Sequence, residues 1–583
     1  MRKKRGIQVL LLLGTILLLA GLTILQQKGK IQKPTFSILE MRGYEQIEEN
    51  QKERQEKRSK ELRQMTGEVM QTVNYAKTEE AQDAYGTYYE IEIAGFADGN
   101  ADGKGDLEGL IHKLDYLNDG DGETTQDLGV NGLFLPSVLQ ADSEMIWNIT
   151  DYNEVDASYG TKKEWEELVR ACHKRGMRVV MGYNPFYTSR QHPWFREACV
   201  YLENHKNLAE LREKCKYLNY YHFTKKPKNE FYHRVGKSKW FYQVYPNTDE
   251  PALNWDKEDV RESLEESILL WLNRGVDAFF LPDLSQAGEE QERGLRWFTG
   301  RVHTLQPKGQ VIAEIQKNEK KEARIYECGV DSVCSDVYAG NHGTIAAVLN
   351  GRYGSDAGNY AYRILQRKEN RWNRKTSGIE ALTYTNARQG RSASFYQKDK
   401  EAKTKLAGAM QLMLGGISFL YYGEEIGMEA TGKSYAPMQW SEDEDAQEMC
   451  KPLFENEKKE TGFGSVEDQM EDNTSILTFY RQAILLRNRY PEIARGEVSY
   501  LEQASNKSVC ILQKEYNSSR ILLAFNLSNV PQSVEAKKIQ TYGYDPARLV
   551  TGGVLLTGES CAKLGDKLTL PPYSMVLLRA EGW

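Results

Sequence analysis

The sequence has no basic excess: 76 Lys and Arg stand against 83 Asp and Glu, a net charge of −7. That argues against nucleic acid as a partner, because phosphate backbones select a basic face. Its eight cysteines (Cys172, Cys199, Cys215, Cys328, Cys334, Cys450, Cys510 and Cys561) fall into no CxxC or CxxxxH spacing, so no common zinc motif is present. Disulfide pairing in an oxidising compartment and scattered buried thiols both remain open. After the N-terminal apolar run there is no convincing small-x-small cleavage site and no cysteine for lipidation. Both absences favour an uncleaved anchor.

The N-terminal residues themselves fit such an anchor. Arg2, Lys3, Lys4 and Arg5 precede an apolar run from Ile7 to Leu25. At about 1.5 Å per helical residue the run approaches the roughly 30 Å hydrocarbon thickness of a bilayer. The positive cluster should stay cytoplasmic, placing the rest of the chain outside. Residues 1–30 thus read as a cytoplasmic tip and transmembrane signal-anchor of a single-pass cell-membrane protein whose bulk is extracellular. Residues 31–84, with QKERQEKRSKELRQ, carry too few apolar side chains for a core and read as a charged helical stalk.

From Tyr88 the pattern changes to alternating helices and strands. Thr161 and Glu164 form a capping box, Trp165, Leu168, Val169 and Cys172 share one helical face, and Gly176 ends the helix before the strand RVVMGY. The same order recurs at VRESLEESILLWLNRGVDAFFL, and further strands are expected at QVIAEI, IEALTY and ISFLYY. Such repetition predicts an α/β chain with a parallel (β/α)₈ TIM barrel over 85–489, interrupted after strand 3 by an insertion at about 183–254. Short alternating segments over 490–583 predict a C-terminal β-sandwich.

FADGNADGKGDLEGLIHKLDYLND, NITDYNEVDASYGT, PALNW, GVDAFFL, VIAEI, YYGEEIGM and APMQW are long, specific stretches. Through them the chain resembles the alpha-amylase family (glycoside hydrolase family 13), particularly its bacterial oligosaccharide-cleaving members. The resemblance implies a nucleophilic Asp ending strand 4, a general-acid Glu on strand 5 and a third carboxylate after strand 7. In retaining enzymes the nucleophile and acid sit about 5 Å apart. Here Pro282 stands where the nucleophile is expected and Phe280 where its Arg neighbour is expected. The acid position survives as Glu314. The strand-7 motif reads Thr385-Asn386-Ala387-Arg388-Gln389, so Ala387 and Arg388 replace the His and the third carboxylate. At strand 3, Gly182, Phe186 and Tyr187 replace an Asp, an Asn and a His. The sugar-stacking aromatic after strand 2 corresponds to Trp147.

In DGNADGKGD, Asp98, Asn100, Asp102 and Asp106 alternate with small residues, and Lys104 can offer its carbonyl. Hard cations take such oxygens, so calcium is expected; Gly109 at the twelfth position rules out an EF-hand. The family carries a calcium loop here; the competing reading is a Gly/Asp turn capping the helix that starts at Leu107.

Three functions follow. The first is a surface pseudoenzyme, lacking hydrolysis, that binds α-glucan, oligosaccharide or a partner protein, with Trp147 and Tyr187 against the sugar. The second is an accessory subunit of a membrane complex, its cleft filled by Phe186, Phe280 and Arg388. The third is an active α-glucosidase or amylase-type hydrolase with Glu314 as acid and Asp283 as a relocated nucleophile.

Overall fold

The structure is a computed structural model and describes residues 84–580, apart from 123–125, 137, 143–144, 205–213, 317–318, 374–377, 430–435, 444–445, 453–461, 546–547 and 556–562. The expected anchor and stalk lie outside the described residues. Among the described residues no helix is long and apolar enough to cross a membrane. The seven described cysteines are free thiols, six of them buried.

Eight parallel strands close a barrel: β1 (Thr87–Glu90), β2 (Gly132–Leu135), β3 (Arg178–Gly182), β4 (Ala278–Leu281), β5 (Gln310–Ile315), β6 (Ser332–Ser335), β7 (Ile379–Thr383) and β8 (Ile417–Tyr421). β1 pairs with both β2 and β8, which completes the ring. Successive side chains along a strand face opposite sides, and the packing follows that period. Tyr88, Phe134, Val180, Ala278, Phe280, Ile312, Cys334, Ala381 and Phe419 form one cluster inside the ring. Their neighbours Tyr89, Leu133, Val179, Phe279, Leu281 and Ala313 pack outward against the helices. The helix–glycine–strand unit forms as its sequence predicts. Thr161 and Glu164 cap the helix Lys162–Lys174 reciprocally, its buried face is Trp165, Leu168, Val169 and Cys172, and Gly176 takes φ +74° before β3.

Two insertions rise over the C-terminal ends of the strands. A hairpin of Leu139–Asp142 and Met145–Val155 follows β2 and carries Trp147. After β3 comes a segment with a three-stranded antiparallel sheet, Phe223–Thr224, Phe241–Gln243 and Tyr232–Arg234 in that spatial order. Beyond the helix Ile476–Arg489 the chain forms a five-stranded and a three-stranded sheet. Val509, Ile511, Leu522 and Leu578 from the first meet Val534, Leu568 and Leu570 from the second in one apolar layer. That layer is what the alternation in RILLAFNLS and KLTLPPYSMVLLRA leads one to expect.

Candidate active site

β4 decides the chemistry of the cleft. Ala278 and Phe280 face into the barrel while Phe279 and Leu281 face out, and the alternation carries to Pro282 on the inward side. The Phe280 ring lies 4.4 Å from that of Phe134 and 5.7 Å from that of Phe419, so aromatic carbon fills the space a cationic side chain would occupy. Trp147 packs at the edge of this cluster, half-buried.

Asp283, the next residue, is fully engaged elsewhere. Its Oδ1 accepts from the Ser285 amide at 3.0 Å and the Ser285 hydroxyl at 2.5 Å. Its Oδ2 accepts from Gln316 Nε2 at 2.8 Å. The Gln316 amide in turn donates to Ser285 Oγ at 2.8 Å, so this carboxylate ties the loop after β4 to the loop after β5. Charged acceptors of this kind hold loops firmly.

Glu314, at the end of β5, is buried, and both its oxygens are occupied. Oε1 is ion-paired with Arg388, and Oε2 accepts from the Asp283 amide at 3.0 Å. Arg388 is placed by the turn that bears it: Asn386 Oδ1 accepts from the amides of both Arg388 and Gln389 at 2.9 Å. This is the local side-chain turn that Asn favours. Ala387 packs against the outer core.

The strand-3 positions are apolar or closed. At Gly182 a Cβ would lie 2.1 Å from the Pro136 carbonyl oxygen, so β3 and the end of β2 approach too closely for any side chain. Phe186 is buried and stacks on Tyr245 at 6.3 Å. Tyr187, half-buried, lies 5.0 Å from the Tyr245 ring, and burial pushes its phenol pKa up.

Two carboxylates escaped the motif comparison. Glu90, at the mouth end of β1, and Glu92 are 8 % and 5 % exposed. Burial, with a smaller contribution from Glu92, raises the Glu90 pKa to about 8 against the opposing charge of Arg388. Burial raises Glu92 to about 7. The signal was present in TYYEIEIAG, where two acids two residues apart at a strand end must share a face.

The DGNADGKGD loop forms the helix-capping turn that is one of the two expectations for it. Asp106 caps the helix Leu107–His112, accepting from Gly109 at 2.7 Å, and also takes the Gly99 amide. Asp98 accepts from the amides of Asp102 and Gly103. Gly103 supplies the positive φ of +94°. Among the described residues no three His, Cys, Asp or Glu side chains converge as a ready metal cluster. One feature nevertheless fits a cation: Asp106 Oδ2 is buried without a hydrogen-bond partner. A buried carboxylate oxygen left so is costly unless something positive meets it.

Comparison with known proteins identifies the scaffold. Residues 91–496 match the alpha amylase catalytic domain. This chain belongs to the alpha-amylase family. It is 24% identical over 502 residues to Alpha-amylase 3 of Dictyoglomus thermophilum, covering 84% of this chain and 92% of that one. Probable oligo-1,6-glucosidase 2 of Bacillus subtilis is 25% identical over 580 residues, covering 85% and 98%. Among solved structures, Eubacterium rectale Amy13B superposes with a TM-score of 0.79 at 33% identity, covering 86% of this chain and 96% of that one. Within this alpha-amylase-family barrel, the strand ends hold a proline, an engaged Asp283 and a Glu314 bound to an arginine. Retaining hydrolysis asks for two free carboxylates facing each other across the bond.

Proposed function

We propose that this chain is a membrane-anchored, extracellular member of the alpha-amylase family that binds α-glucan or oligosaccharide without hydrolysing it. The observation that carries the reading is the pairing of Glu314 with Arg388 beside Pro282. A general acid has to donate a proton to the leaving oxygen. Glu314 instead accepts on both oxygens. A nucleophile must form the glycosyl–enzyme bond, and the pyrrolidine of Pro282 has no atom for it. Trp147 and Tyr187 remain as the aromatic faces for a sugar. Calcium, held by Asp98, Asn100, Asp102, the Lys104 carbonyl and Asp106, would tie the loop after β1 and take no part in chemistry.

The test is calorimetry of the full-length protein with maltooligosaccharides. Saturable heat that falls sharply in Trp147→Ala, with the sugar recovered intact, supports the reading. No binding at all removes the sugar and leaves a partner protein or an accessory role for the cleft.

The names of two relatives favour a second reading over this one: Alpha-amylase 3 is named as an amylase and Probable oligo-1,6-glucosidase 2 as a glucosidase. In that reading the chain is an active α-glucosidase or amylase-type hydrolase, with Glu314 as acid and Asp283 as nucleophile. It requires Asp283 to leave Ser285 and Gln316, and Arg388 to release Glu314, when substrate enters.

A further inference from the structure

The insertion after β3 reverses the charge of the molecule. Between Thr224 and Trp240 it carries Lys225, Lys226, Lys228, Arg234, Lys237 and Lys239 against one acid, Glu230, in a chain of net charge −7. All six cations are exposed. Two are steadied on aromatic rings: Lys225 Nζ sits 4.4 Å from the Trp240 centroid, and the Arg234 guanidinium 5.1 Å from that of Phe241. Lys226, Lys228, Lys237 and Lys239 have no ion-pair partner among the described residues. Of the acids at the border, Glu290 pairs with His222 at 2.8 Å and Asp249 with His233 at 3.6 Å, while the Glu203 carboxylate lies against Gly236.

A run of lysines alone is an ordinary solvated surface. Here two of the run, Lys226 and Lys228, line a pocket of about 200 Å³ together with His222, Thr224, Tyr232 and Asn254. Phe231, next in sequence to the lining residue Tyr232, is 38% exposed, one of five exposed large hydrophobic side chains among the described residues. The combination of cations, hydroxyl and amide groups and an exposed aromatic ring suits a polyanion that carries rings. We propose that this face of the insertion binds an anionic polysaccharide, a polymer of sugar rings bearing phosphate, sulfate or carboxylate groups. The pocket is smaller than the roughly 300–1,000 Å³ of drug-sized sites. It takes one ring or one charged substituent, and neighbouring units lie over the exposed lysines. A flat lipid surface would meet the lysines but would not fill the pocket. The proposal concerns residues 222–240 and stands whether or not the barrel cleft cleaves sugar.

Binding of the full-length protein to fluorescent dextran sulfate, to polyphosphate and to phosphatidylglycerol vesicles tests it. Dextran sulfate should bind, more weakly as salt rises, because exposed charges are screened. Joint Lys226→Glu and Lys228→Glu substitution should weaken that binding roughly ten-fold or more, since two favourable surface pairs become repulsive. Reversing Lys507, in the loop before the strand at Val509, and Lys567, on a C-terminal strand, both exposed, should leave it unchanged, and melting temperatures should confirm that every variant is folded. Phe231→Ala should weaken dextran sulfate several-fold and leave polyphosphate alone, because only the former has rings to stack. Dextran sulfate binding that survives the 226/228 reversal overturns the proposal. So does a Phe231→Ala variant indistinguishable from wild type, which reduces the face to bare charge. Vesicles that bind through these lysines while dextran sulfate does not would assign the face to a membrane instead.

Discussion

Glu314 keeps its family identity yet not its freedom, and the reason lies in single substitutions around it. Arg388 brings a guanidinium to where the family places a third carboxylate, and the acid position becomes its partner. These replacements are written in the sequence: Phe280, Pro282, Ala387 and Arg388 are legible because strand-end motifs have fixed spacing. Their company is not. That Asp283 binds Ser285 and Gln316, and that Gly182 touches the Pro136 backbone, depends on loops from different strands meeting in space. The Gly182 contact has a consequence for reversion. Gly182→Asp needs a Cβ 2.1 Å from a carbonyl oxygen, so the β2 and β3 ends must part. Overpacking of this kind destabilises by about 1–3 kcal/mol. Thermal melts should show a clear loss for Gly182→Asp against the wild type. Equal melting temperatures for Gly182→Asp and wild type would mean that the contact is soft.

Two elements, the end of β1 and the loop after it, have their own behaviour in solution. Glu90 and Glu92 have folded pKa values of about 8 and about 7, above the ordinary value of 4.5, because burial disfavours their charge. A carboxyl raised in the folded state binds its proton more tightly there than in the unfolded chain. Its stabilising contribution is whole below pH 4.5 and is lost as pH rises through the folded value. Between about pH 5 and 8, unfolding free energy should therefore fall less steeply with pH in Glu90→Gln than in the wild type. Denaturant titrations at several pH values read this slope, and identical slopes would place Glu90 in water. The neighbouring loop carries the calcium proposal. A metal bound only by the folded chain adds about 2.7 kcal/mol at a hundred-fold excess over its Kd. Chelator should lower the melting temperature, and Asp102→Ala should abolish that response. A melt indifferent to chelator, with no calcium found by metal analysis, leaves the loop as the helix cap that Asp106 already makes. Element types were legible where period and caps agree, as at Thr161–Gly176; the buried acids of β1 were not, because the motif comparison gave them no role.

At the scale of the whole molecule, an amylase-type barrel and its C-terminal sheets are carried by a chain whose N-terminus reads as an anchor. Protease treatment of intact cells should release the bulk of the protein, and a mature N-terminus beyond Leu25 would instead reveal a cleaved signal. The barrel, the insertion after β3 and the terminal sheets were all legible, since helix and strand periods alternate from Tyr88, break off at the insertion and give way to short strand periods after 490. What the fold does was less so, because one scaffold serves both cutting and binding and only the site separates them. The central claim is that this site does not cut. The direct measurement is release of reducing sugar from α-linked glucans and of chromophore from synthetic α-glucosides by the full-length protein. No turnover above background is expected, and Pro282→Asp should not restore it while Phe280, Tyr187, Ala387 and Arg388 remain. Robust turnover in the wild type, abolished by Asp283→Asn or by Glu314→Gln, would contradict the account and make Asp283 the nucleophile.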